Sequence, residues 1–151
     1  MSEYLANIYW ERKADERFTD NCYSRAHKWS FDGGQVIEAS ASPSIVPLPY
    51  SVESHVDPEE AFVASLSSCH MLFFLSIAAK RQFIVNSYRD AAIGTLAKDD
   101  SGQLAMTRVV LRPEIKFSGN QPDAATIQRM HHQAHNLCFI ANSVKTKVVI
   151  E

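Results

Sequence analysis

Alternation of hydrophobic and polar positions predicts three strands in the first third of the chain. They cover residues 4–10, 24–31 and 35–41, and the turn Asp32-Gly33-Gly34 joins the last two into a hairpin. Three prolines within residues 43–49 lack amide donors and restrict φ, so they predict a loop. The first third is therefore expected to be a small sheet followed by a loop.

A long helix is predicted to begin after Asp57. Asp57 can cap it, Pro58 suits its first turn, and Glu60 completes a capping-box pattern. The helix should run to about Arg81, and it is apolar on most faces, so we expect it to be buried. A helix of roughly 22 residues spans about 33 Å, which is long for one sheet to cover. We therefore expect a partner subunit to cover its other face.

Two strands and a turn are predicted after the long helix. The strands cover residues 84–96 and 106–117, and the polar segment 98–102 joins them into a second hairpin. Pro113 implies a bulge or an edge in the second strand, because proline cannot donate to a ladder.

The chain ends in a second helix and a last strand. Asp123 can cap a helix from residue 124 to about 136, and the alternating segment 144–150 is predicted as an antiparallel strand. The order is βββ-α-ββ-α-β, without a repeat or a linker. This order predicts one α+β domain over residues 1–151, in which the long helix packs on a sheet.

Charge and composition narrow the class of function. Lys and Arg number 15 against 17 Asp and Glu, a formal net charge of -2, which argues against nucleic acid or an anionic membrane surface as a partner. Residues 61–79 approach the length of a membrane span, but they carry several serines, a cysteine and a histidine and are interpreted as a buried helix. The start of the chain has no secretory pattern, so a cytoplasmic protein is expected.

Three cysteines are too few, and odd in number, for a disulfide scaffold. Cys69 and Cys138 each fall on a predicted helix, where packing is the simplest interpretation of either one alone. Together they could form a redox pair if the fold brings them close. A buried thiol needs a nearby cation to ionise, and an arginine held by a carboxylate would serve. Glu59 lies on the same helix, ten residues before Cys69.

A metal site is an alternative use of the C-terminal cysteine. His131, His135 and Cys138 have a spacing that could bind zinc, to which Cys69 or His70 could add a ligand from across an interface. A solvated helix face explains the same histidines equally well, and so loose a spacing arises easily by chance. No metal is therefore expected.

The segment DPEEAFVASLSSCHMLFFL, followed later by HNLCFIANSV, resembles the OsmC/Ohr family of thiol-dependent peroxidases, named for osmotically inducible protein C and organic hydroperoxide resistance. The resemblance extends over nearly the whole chain. Its most specific part is Pro58-Glu59 with Cys69 ten residues after the glutamate and Cys138 near the C-terminus. It implies an OsmC-like fold, with antiparallel sheets around a long buried central helix, in an intertwined homodimer with two interface sites. The loop and cysteine contexts are closer to a less characterised branch.

The resemblance also implies roles for single residues. Cys69 matches the peroxidatic thiol, Cys138 the resolving thiol, and Glu59 the carboxylate that orients an active-site arginine. Arg25 is the best match to that arginine, with Arg17 as the other candidate. Cys22 has no counterpart and is interpreted as a bystander.

The implied substrate is an organic hydroperoxide, with hydrogen peroxide reduced less well. The reductant would be a dithiol such as a lipoyl group, or a small thiol, and no cofactor is needed. Apolar walls of the substrate pocket would come from Phe62, Met71, Phe73 and Phe74. The alternative is a non-catalytic OsmC-like protein that binds an apolar small molecule at the dimer interface.

Overall fold

The computed structural model describes all 151 residues of the chain. Its strands and helices confirm the α+β class that the sequence predicts. The chain divides into two compact units, Met1–Ala61 and Phe62–Glu151. The extent of the domain, residues 1–151, stays a prediction.

The N-terminal unit contains a three-stranded antiparallel sheet. Its strands, in spatial order, are β1 (Ala6–Tyr9), β2 (His27–Phe31) and β3 (Val36–Ala39). The predicted hairpin between β2 and β3 is confirmed, and all three strands are shorter than the predicted segments. Gly34 has a φ of 91° in the connecting turn, a conformation that glycine adopts without a steric penalty.

Helix α1 (Pro58–Lys80) begins with the predicted capping box. The side chain of Asp57 accepts from the amide of Glu60 at 2.8 Å, and the carboxylate of Glu60 accepts from the amide of Asp57 at 3.3 Å. Two amides that would otherwise lack a partner are thus satisfied reciprocally. The sequence predicts this end of the helix because all groups of the capping box lie within four residues of one another.

The C-terminus of α1 is closed by a Schellman motif. The amide of Phe83 donates to the carbonyl of Ala78 at 3.0 Å, and that of Gln82 donates to Ala79 at 3.1 Å. Gln82 takes the left-handed conformation, with a φ of 65°. Phe83 also packs against a core cluster that contains Ala78, so the turn directs the chain back onto the helix.

The two strands predicted after α1 are four in the structure, which corrects the predicted order βββ-α-ββ-α-β. They are β4 (Ile84–Asp90), β5 (Ile93–Lys98), β6 (Leu104–Leu111) and β7 (Pro113–Ser118). Strands β5 and β6 form the predicted hairpin, while β4 pairs with β7 in a separate antiparallel sheet. Two features mark the division: Pro113 has no amide to donate, and the amide of Arg112 donates to the Asp90 side chain, at 2.6 Å, instead of a neighbouring strand.

The C-terminal segment contains helix α2 (Ala124–Leu137), a short helix α3 (Phe139–Asn142) and strand β8 (Lys147–Ile150). Asp123 caps α2 as predicted, accepting from the amide of Thr126 at 2.7 Å. Strand β8 runs parallel to β6, so the prediction of an antiparallel strand is wrong. A parallel partner needs a long crossover, which the segment containing β7 and the two helices provides.

Helix α1 contributes to both core clusters of the C-terminal unit. Phe74, Ile77 and Ala78 pack with residues of α2, while Leu66 packs with β6 residues. The rest of the helix is less covered, and Leu72 is 61% exposed. The expected burial of α1 is thus confirmed, within the single chain, for one face of the helix.

By length and composition α1 could cross a membrane. Its buried face, however, belongs to the two core clusters just described, as in the core helix of a soluble domain.

Candidate functional site

The thiols of Cys69 and Cys138 lie near each other within the C-terminal unit. Cys69 is on α1, and Cys138 is both the C-cap of α2 and the N-cap of α3. The Cys69 thiol is close enough to Cys138 to raise the pKa of the Cys138 thiol, and both cysteines are free. The structure therefore meets the condition on which a redox pair depends, which spacing along the chain leaves open.

The surroundings of Cys138 favour its protonated form. Burial raises the pKa of the Cys138 thiol, and the neighbouring Cys69 thiol raises it further, although amides at the start of α3 oppose this. One of these, the amide of Ala141, donates to Cys138 Sγ at 3.4 Å. Cys138 is 1% exposed, whereas Cys69 is half-buried. Cys69 is therefore the sulfur that a substrate can reach, and Cys138 is a covered thiol beside it.

Arg25 and Glu59 belong to the N-terminal unit. The Arg25 guanidinium donates to the carbonyls of Asn21 and Tyr23 and to the Asn21 side chain, and it lies 3.6 Å from the centroid of the Tyr23 ring. Glu59 Oε2 is buried and has no hydrogen-bond partner. The arginine is thus held in one orientation, and the glutamate keeps an acceptor that suits a cationic donor.

Cys22, the third cysteine, is exposed in the N-terminal unit. Its amide donates to the Asp20 side chain at 2.9 Å, and its thiol raises the pKa of the neighbouring Tyr50. Its exposure makes it a suitable internal control for the reactivity of the other two thiols.

The four residues predicted as pocket walls differ in their environment. Phe73 contacts Phe139 edge to face, with the ring centroids 5.0 Å apart, so two aromatic rings adjoin the Cys138 end of the site. Phe62 is half-buried against the β6 cluster, and Met71 is half-buried on α1. Phe74 is completely buried, and its prediction as a pocket wall does not fit, because its ring packs in the core.

A buried pair of histidines beside the thiols was missed by sequence reasoning. His70 Nε2 and His131 Nδ1 are 3.0 Å apart in a hydrogen bond between α1 and α2. Only 1% of His70 and 8% of His131 are exposed. The sequence signal for this pair is that each histidine lies on the apolar face of its own helix. His70 shares the buried face of α1 with Phe74, and His131 shares the buried face of α2 with Ala134.

The zinc alternative involves His131, His135 and Cys138. His131 directs Nδ1 to His70, and no three or more His, Cys, Asp or Glu side chains are arranged to hold a metal ion. His135 Nδ1 is buried without a partner.

Burial sets the protonation of the histidine pair. It lowers the pKa of His70 to about 4, helped by His131 and His135 and opposed by Asp90. Burial also lowers the pKa of His131, again opposed by Asp90. Tyr88, whose ring packs against Phe74, has its pKa raised by burial and by Asp90 and stays neutral. Both imidazoles are therefore neutral near pH 7, and one of the two facing nitrogens is unprotonated and accepts the hydrogen bond.

Acidification is expected to destabilise the protein through this pair. Since the folded pKa of His70 lies below the unfolded value of 6.5, its contribution is complete above about pH 6.5 and is lost as the pH falls toward 4. A shift from 6.5 to about 4 corresponds to about 3 kcal/mol at 1.36 kcal/mol per unit. Urea unfolding at pH 7 and pH 4.5 measures the loss.

The double variant His70→Gln/His131→Asn is the control, because its side chains do not titrate. Its free energy of unfolding should fall less between the two pH values than that of the wild type. Equal losses in both proteins would assign the acid sensitivity to carboxylates elsewhere.

Solved structures resemble this chain over its full length. An OsmC-like protein of unknown function from Vibrio cholerae is 60% identical, with a TM-score of 0.99 and coverage of 100% of this chain and 99% of that one. An organic hydroperoxide resistance protein from Elizabethkingia anophelis is 14% identical, with a TM-score of 0.68 and coverage of 99% and 94%. An organic hydroperoxide resistance protein, OsmC, from Legionella pneumophila is 13% identical, with a TM-score of 0.67 and coverage of 100% of this chain and 96% of that one.

No match was found among curated proteins. The family described as OsmC-like protein matches residues 51–151, which include Cys69, Cys138 and the helices that carry them. The chain thus belongs to the OsmC-like family.

Proposed function

We propose that this protein is a thiol-dependent peroxidase that reduces organic hydroperoxides, and hydrogen peroxide less well, in oxidative stress defence. The observation that carries the proposal is the proximity of the half-buried Cys69 to the covered Cys138, whose raised pKa keeps it protonated. Membership of a family that contains proteins named for organic hydroperoxide resistance supports it.

The chemistry proceeds in three balanced steps. The Cys69 thiolate attacks the O–O bond, forms a sulfenic acid and expels an alkoxide, which takes a proton and leaves as the alcohol. The Cys138 thiol then attacks the sulfenic sulfur, forming a Cys69–Cys138 disulfide and releasing water. A dithiol such as a lipoyl group, or a small thiol, reduces this disulfide by exchange and is itself oxidised.

The remaining predicted site residues have roles in the first step. We propose that Arg25 stabilises the Cys69 thiolate and that Glu59, which has an unused acceptor oxygen, orients the guanidinium. The two residues would meet Cys69 in an intertwined homodimer, in which a partner also covers the exposed face of α1. Phe62, Met71 and Phe73 would line the entrance for the apolar part of the peroxide. A cytoplasmic location fits three cysteines, which are too few and odd in number for a disulfide scaffold.

Exposure of the reduced protein to one equivalent of cumene hydroperoxide tests the proposal. Intact mass and peptide mapping should show that Cys69 and Cys138 disappear together as a disulfide, while the exposed Cys22 stays reduced. If all three thiols survive, the peroxidase proposal is wrong. The alternative, a family member that binds an apolar small molecule without redox chemistry, then becomes the hypothesis to test by ligand screening.

A further inference from the structure

The hydrogen bond between His70 and His131 is a buried polar link between the two helices that carry the thiols. Its two nitrogens are 3.0 Å apart, and the imidazole planes are 12° from parallel. The ring of Phe74 stacks on His131 at a centroid distance of 4.4 Å, so the pair is enclosed on that side by the core. A second side-chain hydrogen bond, from Arg81 just after α1 to Gln133 of α2 at 3.3 Å, is exposed.

The link lies next to the thiol pair along both helices. His70 directly follows Cys69, and His131 precedes Cys138 by seven residues, or about two turns of α2. His70 points away from Cys69, because neighbouring residues on a helix do not share a face. The imidazoles therefore act on the sulfurs through the helices rather than by direct contact.

A buried hydrogen bond sets the register of packed helices more sharply than apolar contacts do. An apolar interface tolerates small shifts at little cost, whereas His70 Nε2 has no alternative partner if α2 moves. His70 Nδ1 is already buried without a partner, so the residue has no other hydrogen bond to compensate. Disulfide formation in turn requires two Cα atoms within a narrow range of roughly 4.4 to 6.8 Å.

We propose that His70 and His131 are positioning residues that hold Cys69 and Cys138 at the separation needed for the disulfide step. The inference rests on the proposed function and deepens it: the pair governs the step in which Cys138 attacks the sulfenic acid of Cys69 and water leaves. The preceding attack on the hydroperoxide involves the Cys69 thiolate but not Cys138, so it does not depend on the pair.

The variant His131→Phe tests this, because a phenyl ring keeps the stacking on Phe74 and removes the nitrogen. Two quantities are measured: the equilibrium of the Cys69–Cys138 couple against a dithiothreitol redox buffer, and the fraction of sulfenic acid trapped by dimedone after one equivalent of cumene hydroperoxide. We expect the disulfide to become about ten-fold less favoured, which is about 30 mV. Trapped sulfenic acid should rise about ten-fold, and the rate of hydroperoxide consumption in the first turnover should not change.

Two further variants separate positioning from general damage. His131→Asn places a polar atom where Nδ1 stood and should restore the wild-type potential. His132→Leu removes the neighbouring histidine on the exposed face of α2 and should match the wild type. If His131→Phe does not fold, His70→Phe/His131→Phe replaces it, because that variant leaves no unpaired imidazole in the interior.

A folded phenylalanine variant with the wild-type potential and the wild-type trapping would overturn the inference, as would a potential that shifts equally in His132→Leu. Failure of the proposed function looks different, since the wild-type protein itself would then form no disulfide with the hydroperoxide.

Discussion

Replacement of Cys69 by serine is expected to lower the turnover of cumene hydroperoxide by on the order of 10³-fold or more. A serine hydroxyl is a far weaker nucleophile than a thiolate and forms no sulfenic acid, so the first step is lost. A coupled assay with a dithiol reductant measures the rate. Because Cys69 is half-buried on a helix rather than in a core cluster, the substitution should leave the fold intact.

Two other cysteine variants make this result specific. Cys22→Ser removes an exposed thiol of the N-terminal unit and should retain the wild-type rate. Cys138→Ser should still consume one equivalent of peroxide and then accumulate the Cys69 sulfenic acid, which further peroxide drives to the sulfinic acid. A Cys69→Ser protein with normal turnover would contradict the assigned nucleophile, and a loss of activity in Cys22→Ser would move the chemistry to another thiol.

Replacement of Phe74 by alanine is expected to lower the free energy of unfolding by about 4 kcal/mol, near the middle of the range for a buried phenylalanine. Its side chain is completely buried, and its ring contacts Tyr88 at 5.8 Å and His131 at 4.4 Å between centroids. The substitution therefore leaves a cavity between α1, α2 and β4. Urea unfolding at pH 7 measures the loss.

Phe139→Ala provides the matched control, because Phe139 is 70% exposed and its main contact is the edge of Phe73. Its loss should cost less than about 1 kcal/mol. Similar costs for the two substitutions would mean that the core is not organised around Phe74 as the structure has it. A large cost at Phe139 alone would instead point to a partner chain that covers this ring.

The residue pattern predicted those features whose physical causes lie close together in the chain. The capping box of Asp57 and Glu60 and the cap at Asp123 are made by groups three residues apart, so a motif is sufficient to find them. The extent of α1 followed from uninterrupted helical composition. The family resemblance singled out Cys69 and Cys138 because it joins two distant motifs that chain-local reasoning treats separately.

Features that depend on contacts between distant segments were decided by the tertiary structure. Strand β8 pairs in parallel with β6. The Asp90 side chain accepts a hydrogen bond from the amide of Arg112, which is far from it in sequence, at the point where one sheet ends and another begins. Sequence periodicity alone does not distinguish these arrangements, because each strand retains its own alternating pattern whichever neighbour it meets.

The candidate site divides in the same way. From the sequence alone came the residue types, two thiols, an arginine and a carboxylate, together with the helices that carry the thiols. Only the tertiary structure brought Cys138 to Cys69 and paired His70 with His131, because packing α2 against α1 places together side chains that are sixty-odd residues apart. Burial in that packed interface then sets the protonation of Cys138 and of both histidines. No local pattern of residues predicts this burial, because it depends on how the two helices pack.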